Sequence, residues 1–311
     1  MPAKTSDSIA DPADREQVRK DIQRLRQDGG GALSQQGALE VFIAPADAIP
    51  GVLHDIGRLR EISFREVGEG SGKGLDLDEY DQHYLHLFLW DNDAEKVAGA
   101  YRVGRTDFIL AEHGPRGLYC STLFDFEQAF LDHLTPGLEL GRSFVAPDYQ
   151  RSLGALLALW KGLGRFIARD PRYAKLFGPV SISQDYTSIS KNLIVRYLRE
   201  EKRDKSLAAF VHPTNPYREE MPLEISPRLE SIEQVSARVA ESEPDGKGVP
   251  VLLRQYLKLN ATLLEFNVDP KFGNCLDALV MVDLRSAPTA MLKRYMGRAA
   301  YRSFVQETAL G

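Results

Sequence analysis

Cysteine is scarce in this chain of 311 residues: Cys120 and Cys275 are its two thiols. Their isolation in sequence speaks against a disulfide scaffold or a thiolate metal site and fits a reducing compartment. Long apolar runs are also missing. The longest, Leu153 to Trp160, is well short of a bilayer span and gives way at once to Lys161 and Arg165. Met1 to Arg15 is polar, with no apolar stretch behind a basic start, so no secretory signal is expected and the cytoplasm is the expected location. Peripheral contact with the inner face of a membrane stays open. Positive charge is not in excess: 39 Lys and Arg against 44 Asp and Glu leave −5, which argues against nucleic acid as a partner. Several chemical signatures are lacking as well. No Gly-x-Ser-x-Gly elbow surrounds Ser121 or Ser143, Cys120 has no visible His partner, and the six histidines show no ligand spacing. The glycines of Gly68 to Gly74 lead into no phosphate-loop Lys, so that stretch reads as a flexible loop.

What remains is an ordinary soluble composition, 43% hydrophobic and 27% charged, long enough for one large core. The pattern predicts an α/β fold with a mixed sheet. Residues 1–37 form an N-terminal helical arm, with Val18, Ile22 and Leu25 in a helical stripe stopped by glycines. The main domain spans 38–300. In it a strand (Leu39 to Ala44), a helix (Ile49 to Val67) and a hairpin (Tyr84 to Trp90, Lys96 to Arg105) precede a loop at Thr106 to Phe124 and a helix at Asp125 to His133. A β-α-β unit follows, with strands at Leu138 to Val145 and Lys175 to Ser183, then a helix at Ser188 to Glu200. A polar, proline-rich insertion occupies about 201–248, with one helix near Ile232 to Val239. After it come a helix at Val251 to Leu259, a strand pair (Ala261 to Val268, Leu276 to Leu284) and a closing helix at Ala290 to Met296. Residues 301–311 read as a tail.

The strand from Leu138 carries Glu139 and Arg142, turns at Pro147 and feeds an apolar helix. Residues three apart on a regular strand face opposite sides, so either a bulge brings both side chains to one pocket or only one reaches it. Arg60 and Phe64 stand one helical turn apart, Asp76, Asp78 and Asp81 cluster before the hairpin, and Arg102 lies on its second strand. The aspartates could receive an ammonium, or hold Arg60 and Arg102 so that these grip a carboxylate, or only close the loop through ion pairs. The cluster lacks an oxygen-ligand pattern with glycine at the required turn, so no metal is expected. Arg151, Lys161, Arg165, Arg169, Arg172 and Lys175 form a basic run that is either a solvated face or a dock for an acidic partner.

Taken together, Arg60 with Phe64, Asp76-x-Asp78-x-x-Asp81, Gly99-x-x-Arg102, Glu139-x-x-Arg142 and Val145-x-Pro147-x-Tyr149 resemble the Gcn5-related N-acetyltransferase (GNAT) superfamily. Within it the pattern resembles the autoinducer synthases and, more closely, the N-acyltransferases that make ornithine and glycine lipids. Leu159 to Leu163, Leu176-Phe177-Gly178 and the turn at Asp269 to Phe272 extend the resemblance over about residues 39–285. It implies a GNAT-like fold whose C-terminal insertion covers an acyl groove. The implied reaction moves a long acyl chain, typically 3-hydroxyacyl, from acyl carrier protein to the α-amine of an amino acid such as ornithine or glycine. No bound cofactor is implied; the acyl thioester, on carrier protein or CoA, is a substrate. Glu139 is then the candidate base with Arg142 beside it, the backbone N–H groups of Ser143, Phe144 and Val145 the oxyanion donors, and Tyr186 the acid. Arg60, Phe64, Asp76, Asp78, Asp81 and Arg102 would bind the acceptor, and Arg151, Gly154, Lys161 and Arg165 the donor. Acetyl-CoA enzymes of the superfamily keep a small residue where Leu156 stands, which favours a pantetheine arm on a carrier protein with the basic residues facing its acidic surface. Two alternatives accompany this reading: acyl-homoserine lactone synthesis, and a non-catalytic module that binds acyl chains or the carrier protein.

Overall fold

The computed structural model describes residues 7–27, 30–150, 154–219 and 229–308. Its strands are β1 (Ser34–Gln36), β2 (Leu39–Pro45), β3 (Leu85–Asp91), β4 (Lys96–Arg105), β5 (Phe124–Phe126), β6 (Leu138–Val145), β7 (Lys175–Ile182), β8 (Val211–Pro213), β9 (Thr262–Asp269) and β10 (Cys275–Asp283). Its first helices are α1 (Arg15–Gln27), α2 (Pro50–Arg65), α3 (Thr106–His113), α4 (Gln128–Leu134) and α5 (Gly154–Arg169). Then come α6 (Ser188–Glu201), α7 (Ile232–Ser242), α8 (Val251–Leu257), α9 (Thr289–Met296) and α10 (Arg298–Thr308). Eight strands make one sheet in the order β1-β2-β3-β4-β6-β7-β10-β9, and β5 pairs with β8 in a small second sheet. Within the large sheet β6 and β7 are parallel; the other neighbours are antiparallel.

Side-chain alternation sets the layers. Val41, Leu87 and Leu89 point to the face covered by α5, where they meet Leu159 and Leu163. Phe42, Phe88 and Trp90 point the other way, into a second cluster with Val18, Ile22 and Leu25 of α1 and Val52 and Ile56 of α2. The arm is therefore part of this packing. Asp21, fully buried on α1, accepts the N–H groups of Gly51 (2.7 Å) and Val52 (3.0 Å), so it satisfies the open first turn of α2 from a neighbouring helix. Under β7, β9 and β10 a third cluster joins Phe130 and Leu134 of α4 to Phe177, Leu264 and Leu279.

Five local expectations differ from the structure, the first being β1 (Ser34–Gln36), which lies within the expected helical arm and pairs with β2. Thr106 to His113 is a helix where a loop was expected; with Thr106 and Ile109 as its buried residues, it leaves too short a stripe to read. Residues 124–126 form β5, and the expected helix begins three residues later than Asp125. The insertion contributes β8 as well as α7. Residues 298–308, which take in most of the expected tail, form α10, whose buried residue Phe304 is flanked by Ala300 and Tyr301 packed against the same core.

Candidate active site

Two irregularities in β6 create the site. Its pairing with β4 slips between Ala100 and Arg102, so that Arg142 and Ser143 together oppose Tyr101, and Arg142 takes a positive φ of 48°. This β-bulge removes backbone groups from the ladder and re-aims the Arg142 side chain. On its other edge β6 pairs with β7 only at Leu138–Leu176 and Glu139–Phe177. Beyond that point the two strands splay, and the gap opens into a cavity of about 160 Å³. Leu140 to Ser143 line one side of it and Pro179 to Ser181 the other, while Leu252 and Tyr256 come from α8 and Pro250 from just before it.

Arg142 ends a chain of alternating charges. Arg60 donates to Asp81 (2.7 Å); Asp81 lies 3.4 Å from Arg102; Arg102 donates to Asp78; Asp78 lies 3.7 Å from Arg142, and Asp76 lies 3.2 Å from it. Asp78 and Asp81 also cap the short turn at Glu79–Gln82 reciprocally. Burial pushes the Asp81 carboxyl up, but Arg60 and Arg102 outweigh it and hold the group below the usual carboxylate range. Tyr119 packs against both Arg102 and Arg142, and its hydroxyl accepts from Arg142 at 3.1 Å. Arg60, Arg102 and Asp81 are at most 1% exposed and do not line the cavity; Arg142, 14% exposed, does. Phe64 also lines it, edge-on to Phe272 at 5.1 Å.

The other expected site residues are placed elsewhere. Glu139 is buried and absent from the cavity wall; its carboxylate accepts the N–H of Cys120 at 2.6 Å and the hydroxyl of Tyr84, whose oxygen accepts the N–H of Tyr119 at 2.9 Å. Burial raises its pKa, against these hydrogen bonds. The bulge thus turns Arg142 into the cavity and leaves Glu139 in the network behind Tyr119. The Tyr186 hydroxyl donates to the carbonyl of Gly248 at 2.8 Å, away from the cavity wall. Lys161 and Arg165 line a separate cleft of about 220 Å³ beside β1 and α9, where they contact Gln36 and the carbonyl of Leu33. Gly154 begins α5, and Arg151 lies outside the described residues.

The cavity also holds three carboxylates: Asp269, from the turn already noted at Asp269 to Phe272, and Glu69 and Asp277, which the sequence patterns did not single out. Asp277 sits on β10 opposite Ser181 of β7, whose hydroxyl donates to it at 2.8 Å. A readable signal existed, since Asp277 is the lone acid in the otherwise apolar run from Cys275 to Val282. Glu69, in the glycine-rich loop, offered none. Among the described residues no group of three or more His, Cys, Asp or Glu is arranged to hold a metal ion, and no helix is long and apolar enough to cross a membrane.

Residues 59–161, which include the bulge and the aspartate cluster, match the family model described as an acetyltransferase (GNAT) domain. The chain is 32% identical over 249 residues to a glycine N(alpha)-acyltransferase of Phocaeicola vulgatus, covering 75% of this chain and 76% of that protein. A glycine N(alpha)-acyltransferase of Bacteroides thetaiotaomicron is 30% identical over 300 residues, covering 89% of this chain and 86% of that one. Among solved structures, the CoA-dependent acyl-homoserine lactone synthase BjaI, with SAM and isopentyl-CoA, aligns at a TM-score of 0.38 and 14% identity over 86% of this chain and 89% of that one. The homoserine lactone synthase LasI aligns at 0.32 and 17% over 51% and 78%. With a GNAT-like mixed α/β fold and two relatives matched over most of their length, the chain belongs to the GNAT N-acyltransferase family that includes these glycine N(alpha)-acyltransferases.

Proposed function

We propose that the protein transfers a long acyl chain, 3-hydroxyacyl among its donors, from acyl carrier protein to the α-amine of a small amino acid, with glycine the first candidate and ornithine the second. The observation that carries this reading is the cavity in the β6–β7 splay with the Arg142 guanidinium at its bulge. A thioester threaded between the strands would lie against Leu140, Val180 and Leu252, and the backbone N–H groups of Ser143, Phe144 and Val145, of which Ser143 lines the cavity, would serve the developing oxyanion. Arg142, oriented by Asp76, Asp78 and Tyr119, would grip the acceptor carboxylate, while Arg60, Asp81 and Arg102 keep those partners in place. Glu139 acts as a positioning residue through Tyr84 and the Tyr119 backbone.

The carrier-protein donor is supported by Leu156, which is packed against the core where CoA-binding relatives of the superfamily keep a small residue. Product release at a membrane face would suit an amphiphilic acyl-amino acid. The test is incubation of the full chain with palmitoyl-acyl carrier protein or palmitoyl-CoA and a panel of amino acids, read by mass spectrometry. N-acylglycine or N-acylornithine, formed faster from the carrier protein, is the expected result; no amide from either donor would overturn the reading.

A further inference from the structure

The carboxylate side of the cavity has no task in the steps above. Glu69 is only 8% exposed, yet its carboxylate makes no hydrogen bond or ion pair among the described residues and lines the cavity. Its loop is firmly held. The Glu61 carboxylate accepts from Ser71 N–H (3.0 Å), Ser71 hydroxyl (2.7 Å) and Gly72 N–H (2.8 Å), and Ser183 donates to the carbonyl of Val67 at 3.0 Å. Asp277 is 3% exposed on an interior strand. One of its oxygens accepts from Ser181 and faces the Cys275 thiol at 3.7 Å, which leaves the other without a hydrogen bond among the described residues. Two buried acids, beside an Asp269 that already accepts the N–H of Lys271 at 2.8 Å, therefore face a cavity whose opposite charge, Arg142, is already shared with Asp76 and Asp78. A buried acid without a partner is costly, and an arriving ammonium would relieve that cost.

We propose that Glu69 and Asp277 receive the ammonium of the acceptor and that Asp277 is the catalytic residue that removes its proton, an inference that rests on the acyl-transfer reading above. The protein would then grip both charges of an amino acid, the carboxylate by Arg142 and the ammonium by the acid pair. Asp277 takes one proton from the ammonium, and the freed nitrogen lone pair attacks the thioester carbonyl. The C–S bond breaks as the intermediate collapses, and the remaining excess proton on nitrogen ends on the departing thiolate, so the products are amide and thiol, with the first proton released to solvent. Glu69, carried on a loop, holds the ammonium while Asp277, fixed between two strands, accepts the proton.

The surroundings suit a base for neutral pH. Burial, then the charge of Asp277, pushes Glu69 up to about 8, with Asp185 and Asp269 adding to the rise and Arg142 opposing it. Burial pushes Asp277 up to about 7, with Asp269 adding and Ser181, Cys275 and Arg142 opposing. A base must be ionised to act, so kcat/KM for glycine is expected to climb as pH rises through about 7 to 8.

The test compares the wild-type chain with Asp277→Asn and Glu69→Gln, using glycine and aminoacetonitrile as acceptors and both palmitoyl thioesters as donors. Asn keeps the shape of Asp277 and can still accept from Ser181. At pH 7, Asp277→Asn should lose about a hundredfold or more in kcat/KM with glycine and lose the rising pH limb. With aminoacetonitrile, an amine weak enough to be neutral already, its deficit should stay within about fivefold. Glu69→Gln should raise KM for glycine about tenfold or more with a smaller change in kcat, and this carries the test if Asp277→Asn fails to fold. Equal loss of both amines in Asp277→Asn, or an unchanged KM in a folded Glu69→Gln, would overturn the proposal. If wild type and Asp277→Asn form N-acylglycine alike, the base assignment falls while acyl transfer stands; no amide from wild type overturns both.

Discussion

Glu139 illustrates how far a side chain's chemistry can be read without its surroundings. A carboxylate beside a bulged strand is a reasonable base, but this one spends both oxygens on Cys120 and Tyr84 and is 1% exposed. Replacing it with Gln leaves one acceptor oxygen for two donors, and Tyr84 must turn its hydroxyl toward the carbonyl of Gly117, 3.5 Å away. Glu139→Gln is therefore expected to cost about 1–2 kcal/mol of stability and less than about tenfold in turnover, with the pH–rate profile unchanged. Thermal unfolding alongside that profile checks it; a loss of about a hundredfold at wild-type stability would make Glu139 a base after all. Residue types and order sufficed to associate Asp76, Asp78 and Asp81 with Arg60 and Arg102, while Arg142 stands beside Glu139 in that reading and joins the aspartates only in the fold. Which of them reaches solvent depends on one φ angle, and the burial of Glu69 depends on a loop meeting the turn at Gly273. Neither follows from local spacing.

The parting of β6 from β7 turns on Gly178. A Cβ there would stand 2.0 Å from the carbonyl oxygen of Leu140, a backbone atom with no room to yield. The missing side chain lets the strands approach closely just before they diverge, and Pro179 follows without an N–H to extend the ladder. Gly178→Ala should wedge the strands apart, cost on the order of 1–3 kcal/mol, and raise KM for the acyl donor. Gly141→Ala, whose added Cβ meets nothing within 4 Å, serves as the stability control and should leave Tm unchanged. An unaltered donor KM in Gly178→Ala would mean that the strand gap does not hold the acyl chain; Gly141 lines the cavity itself, so its variant controls for stability alone. Most strands and long helices were legible because a continuous buried run bounded by turns, as in β4, or a three-to-four residue stripe, as in α1 with Val18, Ile22 and Leu25, marks them. The segments that escaped, β1, α3, β5, β8 and α10, each bury one or two residues, which leaves no period to detect.

Charge buried around the sheet also couples the fold to pH in two opposite directions. Asp81, held below its ordinary value by Arg60 and Arg102, contributes stability that is present above about pH 4 and is lost as pH falls below it. Asp277 and Glu69 act with the reverse sign. Their folded values lie near 7 and 8, above the ordinary 3.8 and 4.5, so the folded chain holds protons that the unfolded chain has released. Stability therefore falls as pH rises from about 4 through about 8, where both acids must ionise in the cavity with Arg142 as the opposing charge. Between pH 5 and 8.5 ionisation of the acid pair should lower Tm by several degrees. Asp277→Asn should flatten that slope and raise Tm at pH 8.5 while changing little at pH 5. Glycine binding should do the same to the wild-type chain by supplying the missing ammonium, and a wild-type Tm that rises from pH 5 to 8.5 would contradict the burial of this pair.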